Sequence, residues 1–166
     1  MSLAEPILRQ FEQEAPTTRR VLERVPLEKG NWQPHPKSMA LGRLASWLAG
    51  APGWAAKNMH VEAFDASAWE PLAVPATSAE LLAAFDAGAS AALAELRKLD
   101  DTGASAPWSF RMGEKTLMSF RRVDFLRLFL LSDSIHHRGQ MSVYLRLLDV
   151  PVPSIYGPSA DDNPFA

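Results

Sequence analysis

Residues 125–144 read FLRLFLLSDSIHHRGQMSVY, and the reading of this stretch decides the rest. Its apolar residues recur at helical spacing, so one side faces a core. On a wheel of about 100° per residue, Leu126, Phe129, Leu130, Gln140, Met141 and Tyr144 share a face, with Asp133 and His137 in its middle. His136 falls toward the edge of that face. A carboxylate and an imidazole one turn apart on an apolar stripe are costly unless something pairs with them.

Working outward, the pattern runs from Arg122 to Leu148 and is closed by Pro151, giving a long last helix. Before it, Trp108 to Phe120 alternates in part around Met112-Gly-Glu-Lys115, which predicts a short β-hairpin or an irregular crossover. Upstream, Leu82, Phe85, Ala89, Ala92, Leu96 and Leu99 trace a helix whose start carries capping-box spacing, Thr77 to Glu80. Phe64 to Ala76 reads as a connector. A second helix spans Met39 to Met59, with Ser38 as its N-cap and Pro52-Gly53 as a bend. The first runs from Leu3 to Val25 and is kinked or restarted at Pro16. The fold class is therefore all-α, a four-helix bundle over residues 1–166 with a short non-helical or β-hairpin insertion before the last helix. The proline-rich tail after Val150 should lie extended over the surface.

Composition limits the function. The chain has 166 residues and a net charge of −2 from 17 basic and 19 acidic side chains, so it is not an electrostatic trap for nucleic acid. It has no run of about 18 apolar residues, hence no expected membrane span. The amino-terminal residues carry acids and lack an apolar core, so no secretory signal is read there and a cytoplasmic location is expected. The absence of cysteine rules out disulfides, thiolate ligands and a protein thiol nucleophile.

The chemistry converges on Asp133 and His137. A carboxylate four residues before a histidine can orient the imidazole, share a metal with it or act as a base beside it. A dinuclear carboxylate site needs further inward carboxylate motifs, and none is seen. No serine in a strained turn supports a hydrolytic triad. The tryptophans lack a basic interleaved patch and are read as core or interface residues.

The segment from His136 to Asp162, HHRGQMSVYLRLLDVPVPSIYGPSADD, resembles the DinB (damage-inducible) superfamily of helical-bundle metalloproteins. TTRRVLERVP from Thr17, WQPHPKSMALGRLA from Trp32 and PGW from Pro52 extend the resemblance over nearly the whole chain. It implies a divalent metal, zinc or nickel among others, held by one histidine of the second helix and two of the fourth, four residues apart. Some relatives use that metal to activate a small thiol, and relatives are often homodimers. Carried onto this sequence, the last ligand falls on His137, the ligand before it on Asp133, and the second-helix ligand on Trp47.

Aspartate can replace histidine as an oxygen ligand, but an indole has no lone pair to give. His35 lies in a preceding loop and His60 lies about 140° from Trp47 on the wheel, so neither repairs the set. Two functions are therefore weighed. One is a small-ligand cleft lined by Trp47, His136, Gln140 and Tyr144, with Asp133 and His137 as remnants of a metal site and no cofactor expected. The other is a divergent metal-dependent thiol transferase or isomerase with His137 and Asp133 as ligands, a water and a substrate thiolate completing the shell. Proton transfer by the Asp133–His137 pair without metal is a third, with no substrate-orienting motif to support it.

Overall fold

The computed structural model describes residues 2–165, the side chain of residue 68 excepted. Helix α1 (Glu5–Leu22) buries Ile7, Phe11, Ala15, Thr18 and Leu22, a three-and-four spacing that sets one stripe inward. It continues through Pro16 instead of restarting there. Helix α2 (Leu41–Asn58) likewise runs unbroken through Pro52. Ser38 does not cap it. The first N–H groups of α2 are met by backbone instead, Leu41 donating to Trp32 O at 2.8 Å and Gly42 to Gly30 O at 2.9 Å. The preceding loop thus does the work expected of a side chain.

A short strand, β1 (Ala63–Asp65), follows where only a connector was expected. Helix α3 (Ser78–Lys98) opens as its capping spacing indicates, with Thr77 Oγ1 accepting from Glu80 N at 3.1 Å. Glu80 Oε2 in turn accepts from Ala76 N at 2.9 Å, one residue earlier than an ideal capping box. A five-residue helix, α4 (Asp101–Ser105), leads into the hairpin β2 (Pro107–Met112) and β3 (Lys115–Arg121). Gly113 takes the left-handed conformation its turn requires, with φ of 58°. The hairpin extends into a three-stranded sheet because β1 pairs parallel to β2, Phe64 opposite Phe110. The chain is therefore mostly helical with a small sheet, and the all-α expectation is corrected to that extent.

The last helical rod begins as α5 (Arg122–Phe125), passes through a π-helical segment (Leu126–Ser132), and becomes α6 (Asp133–Leu147). Ser132 Oγ donates to Arg127 O, five residues back, at 3.1 Å. A π segment holds an extra residue, and each extra residue delays the helical register by about 100°. The buried positions therefore move from the expected 133 and 137 to Ser134 and Arg138, while Met141 and Tyr144 are buried as expected and Leu145 joins them. Asp133 and His137 sit at the border of the core, not in its middle, and Gln140 is exposed.

Packing of α2 on α3 and of α1 and α2 on the last rod encloses the core. Trp108 is fully buried, stacks on Phe125 at 3.9 Å and donates to Asn58 O at 2.9 Å, so its only polar atom is satisfied. Helices α2 and α3 touch through glycines. A Cβ added at Gly88 would lie 2.7 Å from Gly53 N. In an open helix Gly→Ala stabilises by up to about 1 kcal/mol. Here Gly88→Ala should destabilise by about 1–3 kcal/mol, because backbone must shift to admit the methyl. Urea denaturation reads the sign directly, and a stabilised variant would show that the crossing yields freely.

The tail is not merely draped over the surface. Arg138 is 1% exposed and pairs with Glu14 Oε2 at 2.6 Å, while Tyr156 OH accepts from Arg138 Nη2 at 2.6 Å and donates to Glu14 Oε1 at 2.9 Å. Asp161 accepts from Val152 N and pairs with Arg146, and Asp162 accepts from Ser154 N, folding the tail back on itself. No helix among the described residues is long and apolar enough to cross a membrane.

Candidate functional site

Trp47 reaches the last rod from the middle of α2. Its Nε1 donates to Asp133 Oδ2 at 2.7 Å, a charge-assisted bond of good length. The other carboxylate oxygen, Oδ1, lies 3.3 Å from His137 Nε2, and the side chains of Asp133 and His137 are 25% and 15% exposed. His137 Nδ1 faces Gln140 Oε1 at 2.7 Å. The indole and imidazole rings stand nearly perpendicular with centroids 6.2 Å apart. The rod thus aligns Asp133, His137 and Gln140 along one edge, and α2 brings Trp47 against it.

Burial is the largest single influence on the His137 imidazole and favours its neutral form, but hydrogen bonds to Asp133 and Gln140 and the charge of Asp133 together outweigh it, so its pKa is raised above the ordinary 6.5. A protonated imidazole fits the geometry, since both ring nitrogens then donate to oxygens. A raised folded pKa gives stability that is complete below the unfolded value and lost as pH rises through the folded one. The parent's stability relative to His137→Gln should therefore decline as pH rises from the ordinary 6.5 through the raised folded pKa. Denaturation from acid to alkaline pH checks it, and a flat difference would mean that folding leaves the imidazole pKa unshifted.

The other expected site residues are dispersed. His136 is exposed, its ring 5.0 Å from that of His137, and with Met118, Leu128, Phe129, Ser132 and Asp133 it lines a shallow depression. Tyr144 is buried and committed elsewhere, its hydroxyl donating to Met39 O at 3.0 Å and its ring meeting Trp32 edge to face. His60 pairs with Glu95 on α3 at 2.8 Å, and His35 Nδ1 accepts from Lys37 N. Neither stands at Trp47.

On the far side of Trp47 lies a feature that spacing does not disclose. Trp47, Trp54, Phe64, Trp69, Phe110 and Phe129, with Ala66, line a cavity of about 190 Å³. These rings come from α2, β1, the connector, β2 and the π segment, so only the assembled fold brings them together. All are half-buried, and the cavity is open to solvent. Trp47 stands at 79° to Trp69 and Trp54 at 82° to Phe64. Trp54 Nε1 is buried without a hydrogen-bond partner among the described residues.

The sequence profile of the DinB family matches residues 1–163. This chain belongs to the DinB family. It is 30% identical to the uncharacterised protein YrdA of Bacillus subtilis over 93% of this chain and 89% of that protein. Two solved DinB-like proteins share its fold. One from Bacillus cereus superposes with a TM-score of 0.71 at 20% identity, covering 92% of this chain and 97% of the other. YjoA of Bacillus subtilis superposes with a TM-score of 0.65 at 17% identity, covering 95% and 98%.

The resemblance to DinB proteins implies a metal, so the donor set at Trp47, Asp133 and His137 bears on whether one fits. A catalytic zinc position takes three protein ligands. Here the second-helix position is an indole, which donates a proton and offers no lone pair. That proton occupies one oxygen of Asp133, and the imidazole faces the other. Among the described residues no group of three histidine, aspartate or glutamate side chains is placed to share an ion. The residues present do not fit the DinB metal.

Proposed function

We propose that this DinB-family chain uses its cleft to bind a small molecule without a catalytic metal, with the four long helices acting as a bundle that holds the aromatic cavity open. The observation that carries this reading is the Trp47 Nε1–Asp133 Oδ2 bond of 2.7 Å. It turns a position expected to supply a lone pair into one that donates a proton and takes up an acceptor site of its neighbour. Asp133, His137 and Gln140 then brace the indole as one wall of the cavity, and the cavity is the site that remains. Its rings supply apolar surface of the kind that binding pockets use for most of their contact.

A metal-dependent thiol transferase would need a third protein ligand beside Asp133 and His137, and the indole at residue 47 supplies none. No activity is assigned in this reading. A homodimer accords with the DinB resemblance and belongs to the proposal on that ground. Titration of the tag-free chain with zinc or nickel tests the core of it. The expected result is substoichiometric binding and a melting temperature unmoved by metal or by chelator. One equivalent of tightly held metal, with a melting temperature raised accordingly, would overturn it.

A further inference from the structure

The cavity has walls of one chemical kind. Its lining is Trp47, Trp54, Phe64, Trp69, Phe110 and Phe129 with the methyl of Ala66, so nothing charged lies within it. A ligand group held there meets ring faces and edges, not hydrogen-bonding oxygens. A primary ammonium would lose hydration with no acceptor to replace it. A quaternary ammonium has no N–H to satisfy, and ring faces attract its charge. Perpendicular pairs, Trp47 against Trp69 and Trp54 against Phe64, let such a group meet walls on several sides at once.

Carboxylates beside the cavity offer a cation partners that a neutral group of the same shape would not use. The adjoining depression shares Trp54, Phe64 and Trp69 with the cavity and carries Asp65 and Glu70, against Lys57 alone. Asp65 accepts hydrogen bonds from Ser67 N and Gly113 N, both at 2.9 Å, which keep its carboxylate ionised. Behind Trp47, the Asp133 carboxylate takes the indole N–H, polarising the ring so that its face becomes more electron-rich. His137 pairs with Asp133, and Lys57 and Arg111 offset Asp65 and Glu70, so the preference for a cation comes from the ring faces and from nearby carboxylates, not from net charge.

We propose that the cavity is an aromatic cage for the quaternary ammonium group of a small ligand. It rests on the reading of the cleft as a small-molecule site and adds the class of ligand. In the 166-residue chain, calorimetry and tryptophan fluorescence with choline and with its neutral isostere 3,3-dimethylbutanol separate charge from shape. Choline should bind roughly tenfold or more tightly than the isostere.

Trp69 is half-buried on the connector, so removing it spares the core. Trp69→Ala should weaken choline binding by roughly tenfold with melting unchanged, and Trp69→Phe should recover part of the loss. An isostere that binds as tightly as choline would overturn the cage while upholding a small-molecule site. Binding of neither probe would also overturn the cage. Stoichiometric metal in the titration above would instead overturn the metal-free reading, whatever choline does.

Discussion

Trp47→His together with Asp133→His should create a zinc or nickel site that the parent lacks. With His137 the pair supplies three imidazoles, the ligand number of a catalytic zinc position, and removing the indole vacates room for the ion. Affinity should rise by on the order of a hundredfold or more, about 2.7 kcal/mol, read by competition with a chromophoric chelator. The single variants separate the causes. Trp47→His alone leaves an imidazole, an imidazole and a carboxylate, and should recover much of the gain. Asp133→His alone keeps the indole and should recover little. Equal metal binding by the parent and the double variant would remove the ground for treating Trp47 as the decisive exchange.

Glu14→Ala should be the most damaging single change outside the apolar core. Arg138 is 1% exposed and its charge is balanced by Glu14, with Thr18 Oγ1 and Tyr156 OH completing its bonds at 3.1 and 2.6 Å. Removing the carboxylate leaves a guanidinium buried without its counter-charge, at a cost of about 3–5 kcal/mol. At about 2–4 °C per kcal/mol for a chain of this size, melting should fall by roughly 6–20 °C. Arg138→Met combined with Glu14→Leu should cost less than Glu14→Ala alone, because no charge is then left behind. If the double variant is instead the least stable, the pair contributes net stability and not merely a balanced charge.

Much of the helical framework was legible because its signals are local. The stripe of α1, the Thr77 cap of α3 and the hairpin around Gly113 each depend on residues a few positions apart. What escaped was non-local. Strand β1 is three residues long and acquires its state only by pairing with β2, Ala63 opposite Ser109. The start of α2 is satisfied by carbonyls of Gly30 and Trp32, which leave no mark on the capping residue.

The site divides in the same way. Asp133 and His137 stand out from their spacing, and the spacing of Leu44, Trp47, Ala51 and Trp54 turns Trp47 toward the bundle, but its meeting with that pair follows from the family resemblance. Arg138 was hidden by a register argument that assumed a uniform helix, and the π segment makes it the buried residue. The aromatic cavity has no linear signal, since its rings lie on segments from residue 47 to residue 129.

That π segment also says where this chain tolerates a change of length. Deleting one residue within an ordinary stretch of helix turns everything beyond it by about 100° and exchanges the buried face for another. Between Leu126 and Ser132 the rod already carries one residue more than an α-helix needs. A deletion there would tighten the coil to regular geometry while Ser134, Arg138, Met141 and Leu145 kept their places against the core. Homologous chains differing by one residue at this point would share the same inward face, so an alignment gap placed anywhere else in the rod would misassign the residues beside Trp47.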